Sequence, residues 1–159
     1  MKLDDRDIKI LNHLLTDARQ SARQLAHRLG VSTVTMISRM KKLEENKIIK
    51  GYSVRLDHEL LGYDITALIE IKTRKGTMLE IENEIAKQDN VIAVYDITGD
   101  ADIVVIAKFK NINSLSSFVK KLLEITNVEN TVTHIVLNTI KEDERLLWEN
   151  YPSFKNIVM

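Results

Sequence analysis

Apolar residues recur at helical spacing through the first third of the chain. Leu3-Asp4-Asp5-Arg6-Asp7-Ile8 opens a helix: Asp4 is a capping residue, and Leu3 and Ile8 stand at the spacing of a hydrophobic staple. Ile8, Leu11 and Leu15 then form a stripe, with Leu14 beside it. A second start follows at Ser21, with Gln24 in the capping-box position and Leu25, Ala26 and Leu29 as the buried face. Gly30 suits the left-handed position that ends a helix. Ser32 caps a third helix, with Val31 stapling to Met36. At about 100° per residue Met36, Met40 and Leu43 fall in one narrow arc and form its buried side. Val34, Ser38, Lys41 and Lys42 lie opposite, with Thr35 and Ile37 at the edges.

From Ile48 the pattern changes. Ile48-Ile49-Lys50-Gly51-Tyr52-Ser53-Val54-Arg55-Leu56 is extended in character, with β-branched and aromatic residues in loose alternation. It leads into His58-Glu59-Leu60-Leu61-Gly62, read as a linker. From Asp64 the order is strand, helix, strand, strand, helix, strand. Ile65, Ala67, Ile69 and Ile71 alternate as a half-buried strand, and Met78, Ile81 and Ile85 mark a helix over 77–88. Val91–Thr98 and Asp102–Phe109 are apolar strands separated by the turn Gly99-Asp100-Ala101. Leu115, Phe118, Val119 and Leu122 form another helical stripe, and Val128–Ile140 is a long final strand. This is the order of a ferredoxin-like split βαβ, giving an α+β chain. Apolar residues occupy both strand faces while two helices cover one, so a second copy of the chain is expected to cover the other. The tail Lys141–Met159 begins charged and ends with Trp148, Tyr151 and Phe154.

Composition narrows the class. At 159 residues, 44% hydrophobic and 29% charged, the chain has the balance of a globular protein with room for two small domains. No apolar run approaches the roughly 18–20 residues of a membrane span, and MKLDDRDIK has no signal-peptide core, so no membrane partner is expected. Cysteine is absent, which excludes disulfides and thiolate metal sites and fits a cytoplasmic protein. The net charge of zero conceals a split: Lys and Arg stand 12 against 7 Asp and Glu in residues 1–58, and 11 against 16 in 59–159. A basic end on an acidic remainder suggests that one part holds a polyanion and the other does not.

The basic residues are concentrated. Between Ala18 and Leu43 lie Arg19, Arg23, Arg28, Arg39, Lys41 and Lys42, and no acid. Two short helices with an acid-free basic surface suit the DNA major groove. The candidate DNA-binding set is Ser32, Thr33, Val34, Thr35, Ser38, Arg39, Lys41 and Lys42. Thr33 and Ser38 suit either phosphate or base contact, and Lys41 and Lys42 either phosphate contact or a solvated face. Arg39 reads either as a phosphate contact or as an ion-pair partner of Glu44 or Asp17. Val34 and Ile37 suit thymine methyls or packing on a neighbouring element. Asp100 and Asp102 are favoured in a turn for local hydrogen bonding, with ligand capture as the alternative. His13, His27, His58 and His134 are scattered without metal-ligand spacing. No phosphate-binding glycine loop, nucleophile elbow or carboxylate pair placed for acid–base work is present, so no catalytic residue, metal or cofactor is expected.

Both halves resemble the Lrp/AsnC (feast/famine) family of prokaryotic transcriptional regulators. The matching residues are Leu3-Asp4, Asp7, Ile10-Leu11, Asp17-Ala18-Arg19, Leu25-Ala26, Gly30-Val31-Ser32, Thr35, Arg39 and Leu43-Glu44, then Ile48-Ile49, Gly51-Tyr52, Leu56-Asp57 and Leu61-Gly62-Tyr63. The second half adds the loop Gly99-Asp100-Ala101-Asp102, the strand Thr131-Val132-Thr133 and Lys141. The resemblance implies a winged helix-turn-helix DNA-binding domain over 1–57, a linker over 58–63, a ferredoxin-like (RAM-type) ligand-binding and oligomerisation domain over 64–141, and a tail over 142–159. It further implies a homodimer assembling into tetramers or octamers, a pseudo-palindromic double-stranded DNA operator, and an amino-acid effector held between dimers. By resemblance Gly99, Asp100, Ala101, Asp102, Thr131 and Thr133 border that effector site. The family usually has glycine where Lys47 stands, which implies that Asn46 makes the turn here. It often has a large residue where Ala101 stands, which implies a larger ligand or none. Some proteins resembling this family decarboxylate siroheme-type tetrapyrroles on the same scaffold. That chemistry needs convergent histidines and arginines, and His134 is the one histidine beyond the linker.

Overall fold

A computed structural model describes residues 2–74, 78–143 and 145, in two compact units, one built on residues 2–55 with Glu142, Asp143 and Arg145, and the other spanning Leu56–Lys141. In the first unit three helices follow one another: α1 (Asp5–Thr16), α2 (Ala22–Leu29) and α3 (Thr33–Glu45). Each begins at a cap. Asp4 Oδ1 accepts from the Arg6 and Asp7 N–H groups at 2.9 Å each, and Asp7 Oδ2 accepts from the Asp4 N–H at 3.1 Å. The Ser21 N–H donates to Gln24 Oε1 at 2.8 Å while the Gln24 N–H donates back to Ser21 Oγ at 3.3 Å. Gly30 ends α2 at φ 64°, where only glycine sits without strain. Ile10, Leu25, Met36 and Leu43 are fully buried between the helices, joined by Leu11, Leu14 and Ala26.

Three expectations for this unit need correction. The buried face of α1 is Asp7, Ile10, Leu11 and Leu14, not the stripe Ile8, Leu11 and Leu15. The helix has apolar residues on both arcs, and the buried one is the arc that includes Asp7, which has a partner on α3. The left-handed residue after α3 is Lys47 itself, at φ 56°, whereas Asn46 is at φ −84°. Asn46 instead donates from Nδ2 to the Lys42 carbonyl at 2.8 Å. The run Ile48–Leu56 makes no strand. The Ile48 and Ile49 N–H groups both donate to the Leu43 carbonyl, at 2.9 and 3.1 Å, so the start of the run closes α3 rather than joining a ladder. Ile48 and Ile49 pack on the helical core, while Tyr52, Val54 and Leu56 are exposed.

The second unit is a four-stranded antiparallel sheet in the order β2-β3-β1-β4, from β1 (Ile65–Thr73), β2 (Val91–Asp96), β3 (Ile103–Phe109) and β4 (Val128–Ile135). Its helices are α4 (Met78–Ile85) and α5 (Ile112–Glu124). The register pairs Ile69 with Val105 and Ile71 with Ile103, which brings the alternate residues of both strands onto one face. There Ala67, Ile69, Ile71, Ile103, Val105, Ala107 and Phe109 form one core with Ile81, Ile85, Leu115, Phe118 and Leu122. On the opposite face Leu68, Val104 and Ile106 are only half-buried, and Tyr95 and Val132 are exposed.

The elements run shorter than the sequence suggests. β2 stops at Asp96 rather than Thr98, α4 at Ile85 rather than 88, and β4 at Ile135 rather than Ile140. The last has a clear cause. Ile135 pairs with Ala67, and the Val136 N–H donates to the Thr66 carbonyl at 2.9 Å. β1 begins one residue earlier, so Leu137–Ile140 has no strand left to pair with and is exposed. Trp148, Tyr151 and Phe154 lie outside the described residues.

Candidate functional site

The first site is the outward side of α3. Ser32 Oγ accepts from the Thr35 N–H at 3.1 Å and lies 2.8 Å from the Thr35 hydroxyl, so these two side chains fix the start of the helix while remaining exposed. Measured from Val34 at about 100° per residue, Lys41 lies about 20° away, Ser38 about 40°, Ile37 about 60° and Lys42 about 80°. All five are exposed, as is Thr33. Val34 and Ile37 are 78% and 54% exposed, so they do not pack on a neighbouring element of the chain. Lys41 approaches Glu45 at 3.7 Å with both side chains in solvent, an interaction too weak to hold the ammonium from a phosphate. Lys42 makes no ion pair among the described residues.

Arg39 does not belong to this face. It lies about 140° from Val34, beside the buried arc, and its Nη1 donates to Asp4 Oδ2 and Asp7 Oδ1 at 2.7 Å each. Its partners within the chain are therefore Asp4 and Asp7 rather than the expected Glu44 or Asp17. Asp7 is 5% exposed and Arg39 24%, so the guanidinium neutralises a carboxylate buried at the start of α1. The two pKa directions agree with this geometry. Hydrogen bonds to Asp4 and then Asp7 hold Arg39 more firmly charged. Partial burial works against the Asp4 carboxylate, but the Asp7 N–H and Arg39 outweigh it and leave its pKa below the usual value. Sequence reading missed this tie because the partners are 32 and 35 residues apart; the one available signal was the position of Arg39 on the helix circumference.

A second interaction was also missed. The Tyr52 hydroxyl donates to Glu44 Oε1 at 2.9 Å. Partial burial first, and the Glu44 carboxylate second, push its pKa up to about 12.

The second site is the β2–β3 turn. Gly99 has φ 133°, a conformation other residues avoid. Asp102 is half-buried, and its Oδ2 accepts from the Thr73 N–H at 2.7 Å and the Thr73 hydroxyl at 3.2 Å. The Asp102 N–H donates to the Ile71 carbonyl, and its own carbonyl accepts from the Ile97 N–H. This residue thus ties the turn to the end of β1, while Asp100 is exposed and Ala101 half-buried. Thr131 and Thr133 stand opposite Ile71 and Ile69 on β4, with β1 between them and the turn. The turn and the threonines are thus two strand spacings apart, roughly 9–10 Å. His134, also on β4, lies 3.4 Å from Glu70 Oε1. Among the described residues no group of three His, Asp or Glu could hold a metal ion, and no helix is long and apolar enough to cross a membrane.

Residues 66–146 match the family model described as Lrp/AsnC ligand binding domain, and residues 3–50 that described as winged helix-turn-helix DNA-binding. An uncharacterised HTH-type transcriptional regulator of Pyrococcus abyssi is 48% identical over 144 residues, covering 91% of this chain and 98% of that one. The HTH-type transcriptional regulator FL11 of Pyrococcus horikoshii is 36% identical over 144 residues, covering 91% and 95%. A solved transcriptional regulator–L-methionine complex from Neisseria meningitidis aligns with a TM-score of 0.84 at 28% identity, covering 93% of this chain and 98% of that chain.

Proposed function

The chain belongs to the Lrp/AsnC family of transcriptional regulators, and we propose that it acts by placing the outward face of α3 in the major groove of double-stranded operator DNA. The observation that carries this reading is that face itself. Val34, Ser38, Lys41 and Lys42 stand together on it, with Thr33 exposed at the first turn of the helix, in a stretch from Ala18 to Leu43 with no acid. Lys41 and Lys42 supply phosphate contacts, Thr33 and Ser38 donate hydrogen bonds, and Ser32 and Thr35 hold the N-terminus of the helix in shape. Arg39 supports the helix from behind. In this reading 1–57 is the DNA-binding domain, 58–63 the linker, 64–141 the oligomerisation and ligand domain, and 142–159 a tail, working in the cytoplasm where the DNA is.

The half-buried Leu68, Val104 and Ile106 with exposed Tyr95 and Val132 favour a homodimer through the open sheet face, and higher tetramers or octamers built from it. Twofold symmetry then implies a pseudo-palindromic operator. Gly99, Asp100, Ala101, Thr131 and Thr133 are the candidate contacts for an amino-acid effector between dimers. Asp102, already holding Thr73, acts by fixing the turn. A twenty-amino-acid thermal-shift screen without a stabilising hit would remove the effector from this reading. Catalysis has no part in it, and a tetrapyrrole decarboxylase draws no support from His134, an exposed side chain on the edge strand β4 that lies 3.4 Å from Glu70 Oε1.

Fluorescence anisotropy of the full chain on duplex DNA from upstream of its own coding sequence tests the main claim. Binding should weaken steeply between about 50 and 200 mM salt, with a log–log slope of about −0.9 per phosphate contact. Absence of any salt-dependent binding would refute the reading.

A further inference from the structure

We propose that Val34 and Ile37 together read thymine methyl groups, so that each operator half-site carries two thymines within about two base-pair steps of each other. The inference rests on α3 being the DNA-reading helix and adds the base chemistry that it recognises. Val34 and Ile37 are the large apolar side chains exposed on the outward side of α3, at 78% and 54%, among hydroxyl and ammonium groups. Both lie in the N-terminal half of the helix, the part that meets base edges in this class of motif. The surroundings select the occupant. An apolar pair set among Thr33, Ser38, Lys41 and Lys42, with no acid on α3 before Glu44 and Glu45, fits an apolar group embedded in a polyanion better than an apolar protein surface.

In the major groove the thymine C5-methyl is that group. Residues three apart on a helix place their Cβ atoms about 5–6 Å from each other. Bases on one strand step by about 3.4 Å, so the pair spans one to two steps. β-branched side chains are nearly fixed at χ1 within a helix, so binding costs them little freedom. Hydrogen bonds from Ser38 or Thr33 to a base edge would add to this selection without replacing it.

The test separates this inference from the reading beneath it. Duplexes are selected from a random-sequence library with the full chain, and each thymine of the selected duplex is replaced singly by deoxyuridine, which removes only the methyl. Two positions per half-site are expected to lose about fourfold in affinity each, the worth of one buried methyl group. That loss should shrink toward none in the Val34→Ala/Ile37→Ala double variant, whose changes lie at exposed positions. Deoxyuridine tolerated at every position, or an equal loss in the double variant, overturns the inference while leaving DNA binding by α3 intact. A library that yields no selected duplex overturns both.

Discussion

Arg39→Ala removes the cation that faces a buried carboxylate and leaves the outward side of α3 untouched, so it separates a structural role from a DNA-binding one. The Asp7 side chain is 5% exposed, Arg39 24% and Asp4 52%, with both ion pairs at 2.7 Å. Losing one member of a fully buried pair costs about 3–5 kcal/mol. Losing an exposed pair costs about 0.2–1 kcal/mol. The Asp7 pair lies between these limits and the Asp4 pair near the lower one, which places Arg39→Ala at about 2–3 kcal/mol. A unit of about 55 residues at 0.05–0.15 kcal/mol per residue has only about 3–8 kcal/mol in total, so the variant should be close to unfolding there. Adding Asp7→Asn should recover part of the loss, because a neutral amide needs no counter-ion. Urea unfolding followed through the NMR amide signals of Ile10 and Leu25 reads this unit by itself. A change below about 0.5 kcal/mol, together with a reduced salt slope for DNA, would refute this reasoning and return Arg39 to the DNA face.

Three further variants probe other parts of the first unit. Lys42→Ala should leave folding unchanged and reduce the magnitude of the salt slope by about 0.9 for every phosphate that the lysine neutralises, measured by anisotropy across a salt series. Lys47→Gly should stabilise the first unit by about 1 kcal/mol in urea unfolding, because glycine accepts the left-handed φ that lysine adopts under strain. Tyr52 favours its protonated form in the folded chain, so its contribution is complete below pH 10 and lost as pH rises toward about 12. Thermal midpoints of Tyr52→Phe across that window should fall less than those of the unchanged chain.

What the sequence made legible was local. Asp4, Ser21 and Ser32 announce their caps through side chains that reach only three residues along the chain, and those hydrogen bonds form as expected. The alternation of Ile65, Ala67, Ile69 and Ile71 predicts its own buried face, because a strand has only two. Position around a helix also survives: Val34 is exposed and Met36 buried as the 100° wheel requires. What depended on a distant partner was not legible. Which arc of α1 is buried follows from Arg39 reaching Asp7 across 32 residues. The end of β4 is set by where β1 begins, and the fate of Ile48 and Ile49 by the open carbonyl of Leu43. Asp102 illustrates the same limit at the second site, since only the register of β1 against β3 brings Thr73 to its carboxylate.

The absence of cysteine permits a direct test of the central claim, that the outward face of α3 lies against DNA. Ser38→Cys introduces a single thiol on that face, to which an iron–EDTA group is attached for cleavage of a bound, selected duplex. Cuts should then cluster inside the operator at two symmetric positions, about one helical turn (~10 base pairs) or a multiple of it apart. Uniform or absent cleavage from Ser38→Cys, on a duplex that the labelled chain still binds, would contradict the central claim.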